Sequence, residues 1–546
     1  MKSLSLDPGD SSAHRFLAES YSGQIRTEAA RVSEQLQSQL RQPLALNTLQ
    51  PQALADRQLV VEGAGPVQAS GQEFTPLFNR NRTALKLDAV AGNHGTVGDQ
   101  LFVTGLNDNL AYSLGQYHLQ SRGLRLNNDT RRDLSSAFVH LALTPSVRVQ
   151  AELRDDRTKQ GDLSLRFDED NFSPTLRDEF QQQSVRLGGI AVIDPASSVV
   201  VSMISGRGKE QLYSTLAPLD RFEDRERFDS LELQHMVRLP ALHLTTGYSF
   251  HRNRTELEFA GTTTPLNIIQ RSLYAVATFS ALPRGLRPQL GLSHDSFTGS
   301  EVQVSRVNPR LGLLWELTPD TTLRAASLRT IRRSFVTNQT LQPSQVSGFS
   351  AYFDDPSGTI SQRNGIAVHH RLSDRTFAGG EWSRRDLQVP GFAGDPPSPW
   401  SERFGRAYLY SILTSRSALS VELQYEHLRR PLDNTGNERF TELRTLIAPV
   451  ALRLHGPAGW SATLLATAVH QKARHEDSNL DYVDGSDRFI VADLSLAYQL
   501  PHRAATVSVD GRNLFDRRFR YQEIDVFSSP RVSPRRLVLL RLSTSF

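Results

Sequence analysis

The residues from Ser146 to Arg154 alternate without error. Val147, Val149, Ala151 and Leu153 fall on one side, and Arg148, Gln150, Glu152 and Arg154 on the other. The same rhythm returns at Leu242, Leu244, Thr246, Tyr248 and Phe250, set against His243, Thr245, Gly247, Ser249 and His251. It returns again at Leu419, Val421, Leu423 and Tyr425, and at Leu311, Leu313, Trp315 and Leu317 beside Arg310 and Glu316. A period of two means a sheet with one apolar and one polar face. The runs span about nine to fourteen residues, longer than the five or six usual in a soluble sandwich. That length suits tilted strands that cross a bilayer.

The punctuation between the runs is just as regular. Very short connectors occur at Asn107-Asp108-Asn109, Thr144-Pro145-Ser146, Asp194-Pro195-Ala196, Leu239-Pro240 and Leu282-Pro283-Arg284. They continue at Thr318-Pro319-Asp320, Ser373-Asp374-Arg375, Ser415-Arg416-Ser417, Gly456-Pro457-Ala458 and Leu500-Pro501-His502. Between each pair lie two alternating runs joined by a longer polar stretch, as at 206–227, 331–361, 387–402 and 516–534. Short turns on one rim and long loops on the other mark an outer-membrane barrel. Ten short turns predict 22 strands if both chain ends lie at the short-turn rim. The expected fold class is therefore all-β: a transmembrane antiparallel β-barrel over 82–546.

Composition agrees with a chain that needs no thick core. Apolar residues make up 38%, and 62 basic residues face 58 acidic ones, for a net charge of +4. So thin a charge argues against nucleic acid as a partner. With no cysteine there is no disulfide framework and no thiolate metal site. No stretch approaches a spanning helix. Only five of the basic residues are lysine, which fits codon bias or a need for planar bidentate donors.

The first eighty residues differ. Leu17, Ala18, Tyr21 and Ile25, then Ala29, Val32, Leu36 and Leu40, recur at helical spacing, and Pro43 stops the pattern. Leu6-Asp7-Pro8, Leu17-Ala18, Tyr21 and Ala30 resemble one tetratricopeptide repeat, although Glu34 and Gln37 depart from it. An ordinary helical hairpin is the alternative. Residues 1–42 are thus expected as a helical, repeat-like remnant, which would imply a periplasmic protein partner. Residues 43–81, with Pro43, Pro51, Pro66, Pro76, Gly63, Gly65 and Gly71, read as a linker. Met1-Lys2-Ser3 opens onto polar sequence without the apolar core of a signal peptide, so a secretion signal is expected upstream.

The C-terminal end carries a second resemblance. Asn513-Leu514-Phe515-Asp516 looks like the hallmark of the penultimate strand of TonB-dependent outer-membrane receptors. Val538, Leu540, Leu542 and Phe546 share one face of the last run. They resemble the signal read by the barrel-assembly machinery. Asn308 to Ala325 looks like a mid-barrel hairpin of the same family. The resemblance implies outer-membrane lipid as surroundings and passage or binding of a solute as function. It departs in having only 81 residues before the first strand, with neither a plug nor a TonB-binding segment recognisable, which sets TonB coupling in doubt. Because 22 strands enclose a wide opening, residues 43–80 are expected to thread into or across the lumen. A helical repeat before a barrel also resembles exopolysaccharide secretion pores, whose barrels usually have fewer strands. A non-transporting scaffold is the third reading.

Site candidates are few. By alternation Arg148, Arg154, Arg186, Arg238, Arg310, Arg324, Arg453 and Arg541 face the lumen, where they would favour anionic solutes or pair with Glu152, Glu232, Glu316 and Glu422. His369-His370 point to opposite faces of a strand and cannot share a metal. The acidic stretches Asp168-Glu169-Asp170 and His475 to Asp487 read as solvated loops rather than calcium sites. No catalytic motif stands in a supporting context. Neither an enzyme nor a cofactor is expected.

Overall fold

The computed structural model describes Leu40 and residues 81–546, except 215–220, 281, 300–301, 335–338, 353–354, 392–394, 433–438 and 525–531. Twenty-two strands between Arg82 and Ser545 form one antiparallel sheet. The first, Arg82–Gly92, pairs with the last, Leu537–Ser545, so that Ala89 stands opposite Leu542 and the barrel closes. Closure leaves no edge and pairs the backbone groups between strands, which a bilayer demands. The backbone of Phe546 completes the seam through hydrogen bonds with Leu85 at 2.8 and 3.1 Å.

All ten predicted short turns lie between paired strands on one rim. Strand lengths differ from the sequence expectation, running from eight residues (Ala505–Arg512) to nineteen (Leu176–Asp194). The long ones continue past the membrane on the side of the long loops. Accordingly the connector expected at 206–227 is mostly strand: Ser197–Ser214 pairs with Phe222–Leu239 out to Leu212 opposite Phe222. Likewise 387–402 shrinks to the interval between Thr376–Val389 and Ser398–Thr414.

The two faces sort as the alternation requires. Leu153 is 55% exposed, while Gln150, Glu152 and Arg154 are buried. Leu187, Met203, Leu231, Leu273, Leu290, Ile366, Leu464, Ile490 and Leu540 are exposed around the wall. They form an outward apolar belt within about ten residues of the short-turn rim, the height expected of a bilayer core. Trp460 and Tyr498 stand opposite each other near that rim, both exposed. No helix among the described residues is long and apolar enough to cross a membrane. Of the predicted helix, Leu40 alone is described; it is helical and fully buried. Residues 1–39 and 41–80, and with them the repeat-like segment and the expected threading of 43–80, lie outside the described residues.

Candidate functional site in the lumen

Inside the closed sheet the wall is polar. Gln150, Glu152, Gln234, Ser249, Gln270, Asn308 and Gln471 are buried there. Arg186 sets Nε and Nη2 on Glu152 Oε2 of the neighbouring strand, at 3.1 and 2.7 Å, and Arg154 lies 4.0 Å from Glu152 Oε1. Arg541 is 3.6 Å from Asp510. Arg324 donates to His369 Nε2 and to the carbonyl of Ser347, and lies 3.4 Å from Glu381. Arg453 donates to Ser420 at 3.3 Å. Arg148 is half-buried near the short-turn rim, and Arg238 is exposed there. Two of the expected acidic partners hold arginines that the sequence reading had not singled out: Glu316 takes Arg287, and Glu422 takes Arg406 at 2.9 Å.

Glu232 has a different role. It is buried and accepts from Thr340 Oγ1 at 2.8 Å and from the Leu341 amide at 2.9 Å. Both donors belong to the long connector 332–359, whose described residues do not stand out in solvent but fold down into the barrel. Gln234 Nε2 donates to the Leu341 carbonyl at 2.7 Å, and Leu341 packs with Ile190, Val200, Met236 and Leu40. Those wall residues lie only three or four positions from the short-turn rim. The connector turns there through Ser347 and Gly348, both at positive φ, in a small hairpin pairing Gln345 with Ser350. Ser347 donates its amide to Gln289 at 2.8 Å, and Arg363 reaches the Ser350 carbonyl at 2.7 Å. Arg310 donates to the Pro343 carbonyl, and Arg385 pairs with Asp355 and with Glu402. Val346, Phe349 and Ala351 form a small apolar cluster with Ala326, Leu328 and Ala367 of the wall.

Two wall glycines make this close approach possible. A Cβ on Gly365 would overlap the Phe349 ring, and one on Gly312 would lie 2.7 Å from Val346 Cγ1 and overlap Ser347.

Two more loops lean inward. Phe167, in the connector before Leu176–Asp194, packs with Leu428, Phe440, Leu443 and Ala473 on the far wall. Phe519, Tyr521 and Val532 cover Ile447, Val469, Phe489 and Val491. Gln471 and Gln522 exchange hydrogen bonds at 2.7 and 3.1 Å. The acidic stretches join this cap: Asp168 accepts the Ser478 amide at 2.8 Å. No group of three or more His, Asp or Glu among the described residues could hold a metal. His369 bonds Arg324 and Tyr408 on the inner face, while His370 meets Thr321 Oγ1 at 2.9 Å on the outer one.

The Asn513 to Asp516 turn is a scaffold for the last long loop. Asn513 is buried at positive φ; its Nδ2 donates to the carbonyls of Arg517 and Ser533, and its Oδ1 accepts the Arg517 amide. Asp516 Oδ1 accepts the Arg536 amide at 2.8 Å. Leu514 donates its amide to Ala492, and Phe515 is exposed. Val538, Leu540, Leu542 and Phe546 all point outward and are exposed.

Sequence reasoning missed the inward loops because alternation reports only strands. The available signal was apolar residues in loops, among them Phe167, Leu341, Val346, Phe349, Phe519 and Tyr521.

Residues 96–365 match the family model described as TonB dependent receptor-like, beta-barrel. Among solved structures, the FrpB iron transporter of Neisseria meningitidis is similar at 12% identity and a TM-score of 0.67. That match covers 86% of this chain and 82% of FrpB. The copper transporter OprC matches at 14% identity and a TM-score of 0.66, over 86% of this chain and 80% of its own. The ferric-catecholate import receptor Fiu of E. coli K12 matches at 11% identity and a TM-score of 0.63, over 86% and 82%. No curated protein matches this sequence. Residues 96–365 thus match a TonB-dependent receptor-like β-barrel, and the chain has the fold of a closed barrel of 22 strands.

Proposed function

We propose that this chain is a bacterial outer-membrane barrel that admits a solute when the connector 332–359 moves out of its lumen. The observation that carries this reading is the depth of that connector. Its described residues reach nearly to the short-turn rim and are held by side chains of the strands Phe222–Leu239, Leu286–Thr298 and Ile360–Ser373. Each such hydrogen bond contributes about 0.5–1.5 kcal/mol net, so the obstruction is firm yet built from separable contacts. A polar wall gives a displaced connector an aqueous route to vacate. The passage reading does not need residues 43–80 as the obstruction.

FrpB is an iron transporter, OprC a copper transporter and Fiu a ferric-catecholate import receptor, so metal complexes are the first solutes to test. The decisive experiment is conductance of the refolded barrel in a planar bilayer. Replacing 339–352 by a short Gly-Ser linker should raise single-channel conductance several-fold over the intact chain. Equal conductance, in a variant that still shows the heat-modifiable mobility of a closed barrel, would sink the reading.

A further inference from the structure

Directly above the apolar belt, three arginines face outward side by side. Arg207 stands opposite Arg227, and Arg227 opposite Arg254, in direct register on three adjacent strands. All three are exposed. Two rows below, on the same outer face, lie Met203, Leu231 and Phe250, the last apolar row of the belt there. Four residues along a strand tilted about 45° raise the arginines about 10 Å above that row. That is the depth of lipid headgroups.

Like charges directly opposite across strands are destabilising. Among the described residues no acidic side chain pairs with this row. Arg207 donates Nε and Nη2 to the neutral Gln183 Oε1, at 2.9 and 2.7 Å. Among the described residues Arg227 and Arg254 have neither an ion-pair nor a hydrogen-bond partner. Glu223 is already engaged by Lys209, Arg221 and Arg225. The nearest outward acids, Asp229 and Glu256, belong to the rows below and above; Asp229 accepts from Ser205 at 2.8 Å. Adjacent strands are about 4.8 Å apart, so the three positions span roughly 10 Å, a width that three long side chains can close on one oxyanion group. Arginine is the side chain that recognises phosphate bidentately.

We infer that the row Arg207, Arg227 and Arg254 binds the phosphate of an outer-leaflet lipid headgroup. The proposal rests on the outer-membrane reading above, and its failure can be told apart from the failure of that reading. The full chain is refolded in neutral detergent, and heat-modifiable mobility establishes the closed barrel. Diphosphoryl lipid A, or the same glycolipid without phosphates, is then added, and bound lipid is counted by native mass spectrometry. The intact chain should retain the phosphorylated form and not the dephosphorylated one. The triple variant Arg207→Gln, Arg227→Gln, Arg254→Gln should bind it on the order of a hundredfold more weakly, from about 1 kcal/mol per basic residue at an anionic surface. Arg384→Gln, another outward arginine but one already paired with Asp386 at 2.9 Å, should change nothing. Equal retention of the dephosphorylated lipid, equal binding by the triple variant, or full competition by inorganic phosphate at millimolar concentration would each overturn the proposal. In every one of these outcomes a heat-modifiable barrel leaves the outer-membrane reading standing.

Discussion

Arg186 and Glu152 are each about 4% exposed, so neither charge is relieved by bulk water. Removing one partner of such a pair strands the other, at a cost of about 3–5 kcal/mol. Arg186→Gln is therefore expected to lower the thermal unfolding midpoint clearly, and the double variant Arg186→Gln, Glu152→Gln to recover most of the loss. A single variant as stable as the double would contradict this. Two carboxylates at the outer mouth behave in the opposite sense. Glu210 and Glu226 lie beyond the belt, on neighbouring strands. Burial, reinforced by Asp178, Asp224 and Glu226, pushes Glu210 up to about 7. Burial, reinforced by Asp224, does the same to Glu226. The ordinary glutamate value is 4.5. Between these limits the folded barrel holds protons that the unfolded chain has released, so stability falls as pH rises from about 4.5 to about 7 and levels off above. The unfolding midpoint should be higher at pH 5 than at pH 8. Glu210→Gln with Glu226→Gln should flatten that slope; an unchanged slope in the double variant would refute the assignment.

At the scale of elements, the connector 332–359 depends on glycines in strands it is not part of. Gly365→Val places side-chain atoms where the Phe349 ring lies. The backbone behind is a rigid barrel wall, so the hairpin must give way. The expected result is faster amide exchange across 345–350 and a higher open-channel conductance, with barrel mobility on gels unaltered. The Asn513 turn offers a second test. Asn513→Ala removes three side-chain hydrogen bonds and leaves a residue poorly suited to positive φ, which costs about 1–2 kcal/mol by itself. Limited proteolysis should then cut within 513–536 at protease concentrations that spare the unaltered chain. Unchanged cleavage would mean that the motif does not anchor the loop. Neither dependence can be read from alternation, because both are set by how a loop folds back on itself or on a strand, not by the strand period.

For the molecule as a whole, the ten short turns were enough to number the strands, and the period of two was enough to tell inside from outside. Leu153 and Gln150 sort to the predicted faces because a pleated strand has no other choice. Where strands stop was poorly legible. Ser205 to Gln211 is polar on its outward positions, yet it remains paired, since backbone hydrogen bonds continue beyond the bilayer whatever the side chains do. The identity of ion pairs was half legible. Alternation placed Arg186 and Glu152 on one face, but register decided that they meet, and it gave Glu422 to Arg406. The contents of the lumen were not legible at all. Leu341 seats among Ile190, Val200 and Met236 only because closure carries those strands round to face it. By itself the sequence determined the local, repeating part of this protein: strand period, turn positions, strand number and the two faces. Only the tertiary structure decided what fills the barrel and which charges are satisfied. The first depends on contacts between residues a hundred or more positions apart and the second on the register between strands, and a period of two residues carries neither.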